Sequence, residues 1–159
     1  MKILVIAAHP DDEVLGMGAT IKKFTKAGEK VKIVIMATGI AARRSTDFKN
    51  KTNYEINKNE QKIIEKQIKQ IRIQSIKAAK VLGVKDIEFL DFPDNEMDIV
   101  SNLQITKSIE SIIQKFKPDK IFTHSNSDLG NSIVNAMINK FVKKNKNAII
   151  IKYLGDVLY

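Results

Sequence analysis

A chain of 159 residues, 43% hydrophobic and 28% charged, has the size and balance of one globular unit, and a single domain over 1–159 is the expectation. The absence of cysteine excludes a disulfide framework, a thiolate metal site and a cysteine nucleophile. No apolar run is long enough to span a membrane, no Gly-x-Ser-x-Gly elbow is present, and the opening MKILVIAAHPDDE runs into three acids instead of a cleavage site, so a cytoplasmic location is expected.

Lys and Arg number 27 against 18 Asp and Glu, a formal charge of +9. Much of the excess lies in residues 49–85, with ten basic residues and three acids. Such a stripe attracts anions, but no aromatic side chain is interleaved with it after Tyr54, so a base-stacking platform is not expected. Nucleic acid is therefore not the expected partner, and a solvated helix face or an anionic small molecule accounts for the charge equally well.

The elements alternate. Ile3-Leu4-Val5-Ile6 reads as a buried parallel strand. Residues 13–27 follow at helical spacing through Val14, Leu15, Ala19, Ile21 and Phe24, with Gly28 as the stop. Gly16 and Gly18 are expected to let this helix pack closely on the sheet. Val31–Met36 is a second β-branched run, and the polar stretch 38–53 reads as a functional loop. Residues 54–82 carry the strongest helical pattern, with Ile64, Ile68, Ile71, Ser75, Ala78 and Leu82 on one face and Gly83 beyond the end. A strand over Ile87–Leu90, a helix over 102–116, a strand over Lys120–Thr123, a helix near 130–143 and a strand near 148–153 complete the chain.

This alternation predicts an open α/β sheet of parallel strands with helices on both faces, in the order 3-2-1-4-5. In that order the winding reverses between strands 1 and 4, and ligands bind at the carboxyl ends of those two strands. Strand 1 ends before His9-Pro10-Asp11-Asp12-Glu13, and strand 4 ends before His124-Ser125-Asn126-Ser127-Asp128. His9 and His124 are the only histidines of the chain, and both fall at the predicted crevice.

An imidazole and a carboxylate three residues apart, as His9 and Asp12 are, can turn toward one divalent ion, and zinc takes N and O ligands in this way. Asp11, beside such an ion, has the chemistry to take a proton from water whose pKa the ion has lowered. Glu13 either supports the site or complements the helix N-terminus electrostatically. The plainer alternative is that the acids are helix caps and His9 a hydrogen-bonded loop residue.

AAHPDDEVLGMGATI resembles the opening motif of the PIG-L/LmbE-like family of zinc-dependent N-deacetylases, and the likeness runs on through GIAARRSTDF, LGVKDIEFLDFPDN and KPDKIFTHSNSDL, to about residue 129. The resemblance implies a Rossmann-like three-layer α/β/α fold and a hydrolase that removes the acetyl group from an N-acetylglucosamine-type sugar or conjugate. It implies His9 and Asp12 as Zn2+ ligands and Asp11 as general base. It also implies Arg43 as a residue able to hold an anionic part of the substrate, and it places Asp94 and Asn95 in a loop facing the sugar.

The chain departs from the family after its fourth strand. The family continues there to an Asp-His pair whose histidine is the third metal ligand, whereas this sequence reads SDLGNSIVNAMINKF with no further histidine. The C-terminal part is expected to be deleted, diverged or shifted. Either His124 or Asp128 substitutes as a ligand, with Asp128 otherwise on the substrate side, or the site binds metal weakly. The alternative function is a catalytically impaired or truncated relative that keeps the fold as a binding or assembly module. A homo-oligomer that covers the edge strand IIIKYL is a further expectation.

Overall fold

Short runs of Ile, Val and Leu with no polar face have to be buried on both sides, and a parallel sheet between two helical layers does this. The structure, a computed structural model, describes residues 1–39, 58–93, 100–124 and 149–153. The elements are β1 (Lys2–Ala7), α1 (Asp12–Lys26), β2 (Lys30–Ala37), α2 (Lys58–Leu82), β3 (Asp86–Phe92), α3 (Asn102–Phe116), β4 (Lys120–His124) and β5 (Ile149–Tyr153). The five strands are parallel and stand in the order β3-β2-β1-β4-β5. This is the expected topology. The expected helix near 130–143 lies outside the described residues, as do residues 40–57, which hold most of the expected loop and the first residues of the expected 54–82 helix.

Alternation along β1 divides the core in two. Ile3, Val5 and Ala7 point to a layer with Met17 and Ile21 of α1, Ala79 of α2 and Phe122 of β4. Leu4 and Ile6 point to the other side, where Ile105, Ile109, Ile112 and Ile113 of α3 pack. Thus α1 and α2 cover one face and α3 the other.

The buried row of α2 is Ile71, Ser75 and Ala79, so the sequence pattern held except that Ala79 replaces Ala78 at the deepest position. Arg72, one of the ten basic residues counted above, lies over the Phe89 ring and pairs with Asp91, which ties α2 to β3.

Helix α1 departs further from its pattern. Its buried residues are Asp12, Glu13, Met17 and Ile21, while Leu15 is 76% exposed and Ala19 is also exposed. The buried stripe is 13, 17, 21, a run of i+4 steps on one helix face, and two acids in the first turn concealed its start. The expectation for the glycines is corrected as well. Gly16 is exposed, and a Cβ on Gly18 would meet Leu82 of α2 at 3.9 Å, an ordinary contact with a helix and not with the sheet.

The two readings of α1 separate by mutation. Ile21→Ala is expected to cost about 2–5 kcal/mol in urea unfolding, and Leu15→Ala no more than about 0.5 kcal/mol. Equal costs would contradict the buried row described here.

Candidate active site

The crevice forms where β1 and β4 end side by side. Ile6 pairs with Thr123 as the last step of the ladder, so the chain beyond it runs on beside His124. The Ala8 amide donates to His124 Nε2 at 3.0 Å, and Ala37 at the end of β2 donates to the Ala8 carbonyl at 2.8 Å. The chain then turns through His9 and Pro10 into α1. Gly39 allows β2 to leave close by this turn. Its φ is +71°, and a Cβ there would lie 3.0 Å from Pro10 Cδ and 3.6 Å from His9 Cβ. Only glycine takes such a φ without strain.

Asp12, the first helical residue of α1, is 5% exposed. Its Oδ2 accepts the His9 amide at 2.9 Å and lies 3.7 Å from His9 Nδ1 and 3.3 Å from His124 Nε2. Two imidazoles from two strand tips thus converge on one carboxylate oxygen. His124 is 1% exposed, and its Nε2 stands against both the Ala8 amide and Asp12. That nitrogen serves one partner at a time: unprotonated it accepts from Ala8, protonated it donates to Asp12. Burial alone would raise the Asp12 pKa. The His124 hydrogen bond, the His9 amide and the two imidazoles outweigh burial and hold the carboxyl below its ordinary 3.8.

Asp11 is the N-cap of α1 and is exposed. Its carbonyl receives the amides of Val14 at 2.9 Å and Leu15 at 2.8 Å, while its side chain makes no capping bond. Its backbone stands at φ 114°, ψ −29°, a region that costs a non-glycine residue on the order of 1–3 kcal/mol. Asp11 borders a cavity of about 250 Å³ between α1 and α2, together with Pro10, Glu13, Ile71, Gln74 and Ser75.

Glu13 is the residue whose position the sequence understated. It is 1% exposed, Oε2 accepts the Asp11 amide at 3.0 Å, and Oε1 has no hydrogen-bond partner among the described residues. The available signal was its register with Met17 and Ile21. Burial, first, and the neighbouring Asp11 and Asp12 charges push the Glu13 carboxyl above its ordinary 4.5, against the opposing pull of backbone hydrogen bonds.

His9, Asp12 and His124 are therefore brought together, with Asp11 next to Asp12 at the N-cap of α1. Arg43, Asp94, Asn95 and Asp128 lie outside the described residues. The donors fit zinc in kind, being imidazole nitrogen and carboxylate oxygen. In number the fit is incomplete: among the described residues no three His, Cys, Asp or Glu side chains form a set that could hold a metal ion.

The raised Glu13 pKa carries a sign. A carboxyl whose folded pKa exceeds its unfolded one stabilises the fold below the unfolded pKa and loses that contribution as pH rises through the folded pKa. Glu13→Gln keeps an acceptor for Asp11 and cannot ionise. In chelator-treated protein it is expected to melt higher than wild type at pH 7, the gap closing as pH falls toward 4.5. A gap independent of pH would contradict this.

Comparison with known proteins bears on the same residues. A family model described as "PIG-L: GlcNAc-PI de-N-acetylase" matches residues 4–144. The chain is 32% identical over 118 residues to the diacetylchitobiose deacetylase of Thermococcus kodakarensis, covering 74% of this chain and 38% of that one. It is 29% identical over 124 residues to a probable N-acetyl-alpha-D-glucosaminyl L-malate deacetylase 2 of Bacillus cereus, covering 76% and 50%. It thus spans half or less of these curated relatives' length. The structure of the N,N'-diacetylchitobiose deacetylase from Pyrococcus horikoshii, complexed with its inhibitor MPG, superposes with a TM-score of 0.66 at 28% identity, over 89% of this chain and 49% of that one. With the matched region running from β1 to beyond β4, the chain belongs to the PIG-L family.

Proposed function

We propose that the chain is a metal-dependent hydrolase that removes the acetyl group from an N-acetylglucosamine-type sugar or conjugate, with Zn2+ as its cofactor. The observation that carries this reading is the convergence of His9 and His124 on buried Asp12 beside exposed Asp11, at the carboxyl ends of β1 and β4. Relatives named as deacetylases of diacetylchitobiose and of a glucosaminyl malate support the substrate class.

In this reading His9 and Asp12 would hold the ion, and His124 would join them by releasing the Ala8 amide from its Nε2. When bound, it supplies Lewis acidity to the acetamide carbonyl and lowers the pKa of water. Asp11 does the proton work. As water adds to the carbonyl carbon, its proton passes to the Asp11 carboxylate. The C–N bond then breaks as Asp11 returns that proton to the amine nitrogen, and acetate and a free amino sugar leave. Exposure suits Asp11 to this task, since its carboxylate meets solvent while Asp12 is buried and committed to His9 and His124. Arg43, Asp94 and Asp128 are assigned to the substrate side.

The incomplete ligand set among the described residues favours a second reading, a relative that retains the fold and binds a ligand without turnover. One experiment separates the two. Under the hydrolase reading, purified protein contains stoichiometric zinc and releases acetate from diacetylchitobiose, and a chelator abolishes the release. Metal-free, inactive protein that stays folded would leave the binding module standing. Asp11→Asn is expected to lower kcat about 10²–10⁴-fold with metal content unchanged. Turnover close to wild type would remove Asp11 as the base.

A further inference from the structure

The reaction above makes no use of Glu13, although it is as deeply buried as any acid described. It begins the row that continues through Met17 and Ile21, so the packing of α1 on β1 and β2 fixes its backbone. A glutamate that reaches back to an N-cap amide ordinarily comes from the third helical position and lies at the surface. Glu13 reaches back from the second position and from inside the core. What it takes is the amide of Asp11, whose φ is 114°. Helix capping as such does not require this arrangement, because an exposed cap satisfies the same amide without burying a carboxyl. The bond ties Asp11's rotated backbone to a side chain that has no freedom of its own.

We propose that Glu13 is a positioning residue for Asp11: by holding the Asp11 amide from the core, it sets the turned backbone that carries the exposed Asp11 carboxylate. The base role it serves rests on the deacetylase reading. The hold itself is a property of the loop. Gln at this position keeps the acceptor. Leu keeps the bulk and the apolar packing and removes the acceptor.

The test compares wild type, Glu13→Gln and Glu13→Leu. In chelator-treated protein, hydrogen exchange at the Asp11 amide is expected to be slow in wild type and Glu13→Gln and fast in Glu13→Leu. With zinc and diacetylchitobiose, Glu13→Gln is expected to stay close to wild type. Glu13→Leu is expected to lose about 10²-fold in kcat at similar KM and zinc content, the scale that a misplaced catalytic group carries. A cooperative melt for Glu13→Leu rules out global unfolding as the cause. Equal Asp11 exchange in all three proteins would overturn the proposal, as would wild-type kcat in Glu13→Leu. A wild-type protein without turnover removes the deacetylase reading instead, and the exchange comparison then decides the Glu13–Asp11 hold by itself.

Discussion

Asp12 stands where the tip of β1, the first turn of α1 and the tip of β4 meet. Its Oδ2 receives the His9 amide at 2.9 Å and faces His124 Nε2 at 3.3 Å. A buried carboxylate is costly unless its oxygens are matched by donors, and here the His9 amide is one and the imidazole of His124, far away in sequence, stands within reach as another. The His9 bond joins the tip of β1 to the first turn of α1, and His124 brings the end of β4 against the same carboxylate.

The loop divides its carboxylates by environment. Asp12 is held low in pKa by amide and imidazole partners, and Glu13 is pushed up by burial and by the charges beside it. Asp11, at the N-cap, is exposed. Three adjacent acids thus acquire three different surroundings: Asp12 is matched by amide and imidazole partners, Glu13 is buried and Asp11 is exposed. The strained φ of Asp11 belongs to the same turn, at the N-cap where the chain passes from β1 into α1.

This crevice is legible in the sequence because its signals are local and periodic. β-branched runs with no polar face could be satisfied only between two layers, and right-handed crossovers left few strand orders. His9 and His124 each follow or end such a run, so the strand order alone brings them together. The motif around His9 also carried the resemblance to the family. Leu15 shows where a local signal misleads: it is apolar, yet the rotation of α1 is set by Met17 and Ile21 against the sheet, and Leu15 falls on the far side.

The amino-acid sequence by itself determined the alternation of elements, the order of the sheet and the meeting of the two histidines at the switch point, because each follows from hydrophobic period and chain connectivity. Only the tertiary structure decided which acid is buried, which is exposed and which nitrogen faces which oxygen. Those outcomes depend on the rotation of α1 about its axis and on the depth to which β4 rises beside β1, and both are set by packing between separate segments, α1 against β1, β2 and α2, and β4 against β1.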